Sequence, residues 1–310
     1  DLLHTHFLTG YGYWGVFSGR RPFMLTVWGD DVYVTPHQTW LKGRLARHAL
    51  SEADYVTGDS VDIVADCVRL GAREDRVEVV QWGVDFAKFH PQVPGAPVRE
   101  RLGIPPDAPA VLSTRSFTQP YYNIDLVVET AARVRARHPE VHYIIAGNEG
   151  DDARFRDHAR AAGLVDRVHW VGRIPHAELP AWLTASTVFL TIPSVDATAV
   201  SLLEAMACRC AIVATDLPSA VEWIRDGETG LAVKPRDGDG LVEAICRYLD
   251  DAPLRARVGE AAERVVRAKA DHDRNMARVE DIYYALVEGR SPAAGRTTAA
   301  TAGPGGPPGP

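Results

Sequence analysis

Two acids eight positions apart, Asp196 and Glu204, stand on either side of what reads as the start of a helix. An apolar strand pattern over 187–191 runs up to Pro193, a short loop carries Asp196, and the helix opens near Thr198, a residue type suited to N-capping. Leu202, Leu203 and Met206 are spaced to face a core, which puts Glu204 near the end of the second turn. The chemistry open to such an arrangement is recognition of a polar, anionic ligand. The first N–H groups of a helix have no partner within it and can hold a phosphate, and a carboxylate on either side accepts hydrogen bonds from hydroxyls. Spacing alone also fits a plainer reading, in which one acid caps a turn and the other lies on a solvated face.

Further candidates sit at the ends of other predicted strands. Arg115 directly follows a strand over 110–114, and a guanidinium fork suits a diphosphate. Ala146-Gly147-Asn148-Glu149-Gly150 and Val171-Gly172-Arg173-Ile174 are turns of small or flexible residues, and by themselves no more than turns. Nearer the start, His4 and His6 share one face of a strand because side chains alternate. A metal would need a third ligand, no cluster supplies one, and hydrogen-bonded histidines are the expectation. Trp28-Gly29-Asp30-Asp31 closes another strand, at the end where parallel sheets place ligands, although Asp31 can equally serve to structure that loop.

Alternating strands and helices must position these residues. The first part reads as strands at 1–6, 22–27, 55–57 and 76–80, with helices over 9–19, 37–51 and 60–70. After a Pro- and Gly-rich stretch, the second part repeats the alternation with strands at 110–114, 141–146, 167–171, 187–191, 211–215 and 230–234. Helices over 124–138, 151–162, 239–249, 253–270 and 274–287 complete it. This is the pattern of parallel sheets covered by helices on both faces. The composition allows it: the chain of 310 residues is 46% hydrophobic. A net charge of −7 with no basic domain speaks against a nucleic-acid binder. Cys67, Cys208, Cys210 and Cys246 form no C-x-x-C pair or disulfide ladder and read as core residues of a reducing, cytoplasmic compartment. No run is long enough to span a membrane, and peripheral contact is left open.

The acid-x7-acid segment followed by Ala205-Met206-Ala207-Cys208 resembles the motif of family 4 glycosyltransferases, retaining enzymes of GT-B fold. Trp28-Gly29-Asp30-Asp31 resembles that family's H-G-S-D turn, Trp82 to Pro91 its signature leading into the second domain, and Asp226 to Leu231 a further family-like run. The resemblance implies two Rossmann-like doubly wound domains facing a cleft, the first truncated at its start. It places an acceptor-side domain at 1–91, a nucleotide-sugar domain at 92–270, a helix crossing back at 271–288 and a disordered tail at 289–310. It implies that Asp196 lies by the transferred sugar, that Glu204 holds ribose hydroxyls, and that Arg115 and the helix start at Thr198, Ala199, Val200 and Ser201 meet the diphosphate. Gly147 and Asn148 would lie beneath the donor, Arg173 and Ile174 by the base, and His6, Trp28, Asp30 and Asp31 on the acceptor side.

Four departures from the family pattern stand out. The first acid is Asp rather than Glu, Trp28 replaces a histidine, Pro120 stands where a lysine pairs with the arginine, and Arg209 replaces the glycine after the A-M-A-C run. The resulting expectation is a metal-independent transferase with a nucleotide diphosphate sugar as co-substrate and no cofactor. A sugar-nucleotide epimerase and a non-catalytic donor-binding remnant are the alternatives.

Overall fold

The computed structural model describes residues 1–147 and 153–292. Asn148, a candidate above, lies outside the described residues, as does the stretch from 293 onward.

The first domain pairs four strands in parallel and in chain order, β1 (Leu3–His6), β2 (Phe23–Thr26), β3 (Tyr55–Gly58) and β4 (Val77–Val79). Between them lie α1 (Tyr13–Phe17), α2 (Asp30–Tyr33), α3 (Thr35–Gln38), α4 (Trp40–Glu52) and α5 (Val61–Arg69). Alternation along β2 builds two cores at once. Phe23 and Leu25 pack with Leu50 and Ile63 on one face, and Met24 packs with Ile282 and Leu286 on the other. The helix expected over 37–51 is interrupted at Thr39. Its extended backbone ends α3, and its hydroxyl accepts the Lys42 N–H (3.3 Å) to start α4.

The second domain opens with α6 (Ala96–Leu102), which begins at the end of the Pro- and Gly-rich stretch, and Pro97 sits in its first turn where no N–H is needed. There follow β5 (Ala110–Ser113), α7 (Ile124–Arg137), β6 (His142–Ala146), α8 (Ala153–Ala161), β7 (Val168–Gly172) and α9 (Leu179–Ala185). Then come β8 (Val188–Thr191), α10 (Val200–Ala207), β9 (Ala211–Thr215), α11 (Pro218–Val221), β10 (Leu231–Val233), α12 (Gly238–Asp250) and α13 (Ala252–Lys269). The sheet order is β10-β9-β8-β5-β6-β7, and its paired strands run parallel. Strands β5, β6, β8 and β9 are buried along their whole length, which is why they read as continuous apolar runs. Chain direction through the sheet reverses between β5 and β8. Loops leaving a sheet on either side of such a switch point diverge and open a crevice.

A last helix, α14 (His272–Val287), returns to the first domain. Arg278 contacts both oxygens of Glu78 (2.9 and 2.6 Å), and the Tyr283 hydroxyl lies 2.7 Å from His4 Nδ1. The crossing is tight at Gly83, where φ is +74° and a Cβ would lie 2.8 Å from Ala270 O and His272 N. Gly83→Ala is expected to cost about 2 kcal/mol or more, from left-handed backbone strain plus overpacking. The readout is a fall in melting temperature; an unchanged value would mean that the crossing segments separate at little cost.

Candidate active site

Two loops at the switch point build the site. After β5 the chain passes Arg115, makes one turn over Pro120–Tyr122, and reaches Asn123 at the start of α7. Asn123 adopts φ of +56°, which asparagine tolerates better than most residues. Its side-chain N–H groups donate to Ile192 O (2.8 Å) and Ser194 Oγ (2.9 Å) in the loop after β8. The Ser194 N–H returns a bond to Tyr121 O (2.7 Å). So tied, the first loop lays Arg115 over the Tyr122 ring (5.1 Å) and delivers its guanidinium to Thr191 Oγ1 (2.7 Å) and the Asp196 carboxylate (2.6 Å). The arginine assigned to a diphosphate and the acid assigned to a sugar are therefore each other's partners. Burial pushes the Asp196 carboxyl above its ordinary value, and Arg115 offsets part of that rise.

Helix α10 starts at Val200, with Ala199 in the cap position and no side chain capping it. This corrects the reading of Thr198 as the N-cap. Thr198 is buried against the first domain: its N–H donates to Asp59 Oδ1 (3.3 Å) and its hydroxyl lies 3.4 Å from Gln81 Nε2. Because the first domain occupies Thr198, no side chain competes for the first-turn N–H groups of α10. The positive end of the helix dipole is left to an anion. One turn on, Glu204 is buried, and its Oε1 lies 2.5 Å from His176 Nε2. Burial raises the Glu204 carboxyl as well, with the His176 contact acting in the opposite direction.

A cleft of about 350 Å³ is lined by Glu204 and Val200 together with His176, Trp28, Trp82 and His272. The two indoles stack with centroids 5.2 Å apart, and the His6 ring lies 5.8 and 5.5 Å from them. Burial lowers the His6 imidazole, and burial together with His6 holds His4 down at about 4, so both rings are neutral at pH 7. His4 is engaged by Tyr283 and by Thr26 Oγ1 (2.8 Å), the hydrogen-bonded role expected of it. Asp196 does not line this cleft. It borders a separate void of about 10 Å³ with Ala199 and Ser219, room for roughly one water.

The remaining candidates divide. Asp31 takes the second of the two roles open to it, structuring its loop rather than reaching the acceptor side. It is fully buried, and its carboxylate accepts the N–H groups of Leu8 (2.6 Å), Trp28 (3.0 Å) and Gly29 (2.8 Å), joining two loops. Asp30 is half-buried, and its charge is felt at Asp196. Gly147 packs against the Phe117 ring, where a Cβ would come within 2.5 Å. Arg173 is exposed and Ile174 rests on the core of the second domain. Ser201 is half-buried on α10. Arg209, in the place of a glycine, adopts φ of +58°, and its guanidinium pairs with Glu263. The four cysteines are buried and unpaired. Among the described residues no three His, Cys, Asp or Glu side chains converge as metal ligands.

Sequence reasoning missed His176, Trp82 and Asp59. None carries a spacing signal, because each meets the site from a different element. Asp59, just past β3, lies in the seam between domains, where Gln81 Nε2 also donates to its backbone oxygen. Burial pushes its carboxyl well above the ordinary 3.8, and the charges of Asp196 and Asp31 add to the rise. A folded-state value above the unfolded one means that the unfolded chain releases a proton first. Stability attached to Asp59 is therefore lost as pH rises above about 4. Asp59→Asn keeps an acceptor for the Thr198 N–H and removes the titration. Its melting temperature relative to the parent is expected to climb as pH rises above about 4. A difference that stays constant from about pH 4 upward would rule out a buried titrating acid.

Comparison with known proteins bears on this geometry. The family model described as "Glycosyl transferases group 1" matches residues 97–265, and "Glycosyl transferase 4-like" matches residues 1–60. The chain is 30% identical over 214 residues to a lipopolysaccharide core biosynthesis mannosyltransferase of Rhizobium leguminosarum, covering 67% of this chain and 60% of that protein. It is 30% identical over 328 residues to a D-inositol 3-phosphate glycosyltransferase of Acidothermus cellulolyticus, covering 96% of this chain and 70% of that one. The chain thus spans about two thirds of the length of these relatives. Among solved structures, sucrose-phosphate synthase from Thermosynechococcus elongatus superposes with a TM-score of 0.81 at 22% identity, over 93% of this chain and 74% of that one. Anabaena HepE in complex with UDP-glucose superposes with a TM-score of 0.82 at 19% identity, over 92% and 79%. At these identities the likeness establishes the fold, the two-domain GT-B arrangement.

Proposed function

This chain belongs to the group 1 glycosyl transferases, and from that premise we propose that it moves a sugar from a nucleotide diphosphate sugar to an acceptor hydroxyl with retention of configuration. The observation that carries the reading is Glu204, a buried carboxylate facing the interdomain cleft one turn into a helix whose start no side chain caps. A carboxylate held in that way accepts two vicinal ribose hydroxyls, and the helix start next to it accepts the diphosphate. In the reaction the bond from the anomeric carbon to the β-phosphate oxygen breaks, the acceptor oxygen bonds to that carbon and its proton is released. Charge accumulates on the departing diphosphate. Arg115 and the N-terminal end of α10 oppose it with groups already oriented before the reaction begins. Asp196, released from Arg115 as the diphosphate takes the guanidinium, is assigned to the hydroxyls of the transferred sugar. The acceptor enters along the wall formed by His6, Trp28 and Trp82.

The test is a thermal-shift and titration screen of UDP-, GDP- and ADP-sugars, with turnover followed for any donor that binds. One preferred nucleotide sugar is expected to raise the melting temperature. Since helix dipole and arginine supply the positive charge, turnover is expected to survive a chelator. Absence of stabilisation by every sugar nucleotide overturns the donor site. Loss of turnover with chelator, restored by a divalent ion, overturns metal independence alone.

A further inference from the structure

We propose that the first domain docks on an anionic phospholipid surface through the adjoining outer faces of α1 and α4. Tyr11, Trp14, Phe17, Trp40 and Leu41 are between 50% and 77% exposed. They lie on two helices that pack together and on the turn before the first of them: the Phe17 ring lies 5.9 Å from that of His48, and the Tyr13 hydroxyl bonds to Lys42 O (3.3 Å). Among the described residues the other exposed large apolar side chains, Val61, Val165, Val221, Tyr284 and Val287, include no tryptophan or phenylalanine. An apolar group of this size on a surface marks an interaction site, and its composition points to the kind of partner. Tryptophan and tyrosine favour the headgroup level of a bilayer, where one end of the ring is apolar and the other wet.

Charge selects the bilayer over an apolar protein face. The chain has a net charge of −7, yet from Leu2 to Ser51 its only acids are Asp30 and Asp31, and Asp31 is buried. The same stretch carries Arg20, Lys42, Arg44 and Arg47 besides Arg21, whose charge is taken up by Glu52 and Asp54. Along α4 the small residues Gly43, Ala46 and Ala49 face inward, so Trp40, Leu41, Arg44 and Arg47 face out together. Cations flanking aromatic side chains on one helix face are the arrangement that lies in the plane of an anionic interface. No described helix is long and apolar enough to cross the membrane, so the contact is with the surface. The segment Leu8–Gly12, which bears Tyr11, begins two residues after His6. A bilayer on this face therefore lies beside the acceptor side of the cleft.

The experiment is sedimentation of the full chain with vesicles of phosphatidylcholine alone and of phosphatidylcholine mixed with phosphatidylglycerol, at low and high salt. Binding is expected only to the mixed vesicles, weakened by salt, with a blue shift of tryptophan fluorescence as Trp14 and Trp40 leave water. The double variants Trp14→Ser/Trp40→Ser and Arg44→Glu/Arg47→Glu are each expected to lower the partition coefficient about tenfold or more. Their melting temperatures should match the parent, because these side chains lie outside the core. No binding to mixed vesicles and no fluorescence shift would overturn the proposal. So would equal binding by parent and variants, or a stable dimer that the Trp14→Ser/Trp40→Ser variant dissociates, since a second copy would then cover the face.

Discussion

Glu204→Gln is expected to weaken binding of the preferred nucleotide sugar about 10- to 100-fold, the loss of one or two charge-assisted hydrogen bonds. The same change should leave the unliganded protein at least as stable as before at neutral pH. Burial holds the Glu204 carboxyl above its unfolded value of 4.5, so its contribution to stability declines as pH rises past that value. An amide of the same shape removes that decline and still offers an oxygen to His176. Binding and stability are thus expected to part company, and calorimetric titration beside a melting curve measures both. Unchanged affinity would show that Glu204 holds His176 and nothing else. Affinity and melting temperature falling together would make it a packing residue.

Arg115→Ala has the largest expected effect. Removing the guanidinium leaves the Asp196 carboxylate largely buried and without its ion-pair partner, a loss of about 3–5 kcal/mol for a pair broken on one side. The sign with pH follows. Asp196 already titrates above its unfolded 3.8, and the rise grows once the charge of Arg115 is gone. The folded variant then retains a proton that the unfolded chain releases, so its deficit should widen from about pH 4 upward. Adding Asp196→Asn removes the buried charge and is expected to restore most of the stability. Turnover, however, should be lost in both single variants and in the double variant if, as proposed, one residue meets the diphosphate and the other the sugar. A double variant that regains activity with stability would reduce the pair to a structural bridge. A single Arg115→Ala variant as stable at pH 8 as at pH 5 would contradict the electrostatic account.

The relation between Arg115 and Asp196 also shows why a strand-end arginine cannot be assigned from sequence alone. Both residues sit where ligands are expected, at the ends of β5 and β8. They become neighbours only because the sheet order sets β8 beside β5 and because Asn123 ties the two loops. The site holds its own charges in balance, and under the proposed function a donor's phosphates would replace an internal carboxylate rather than fill an empty basic pocket.

By itself the sequence determined the class of fold, the two-part division and most of the strands, because parallel strands buried on both faces must be written as continuous apolar runs. It also placed Asp196 and Glu204 around a helix start, since that relation is local: eight residues and one turn geometry carry it. Residue relations set by packing across the chain were decided only by the tertiary structure. Thr198 looks like a cap in sequence and is buried in the seam because Asp59, more than a hundred residues earlier, takes its N–H. Asp31 fits either a ligand or a loop anchor in sequence and is an anchor because three backbone N–H groups from two loops converge on it. His176 and Trp82 reach the cleft from a loop and a domain junction, with no periodicity to announce them. Local chemistry is written in spacing; which buried acid finds which donor is set by packing between distant parts of the chain, within a domain for Asp31 and Asp196 and across the seam for Asp59.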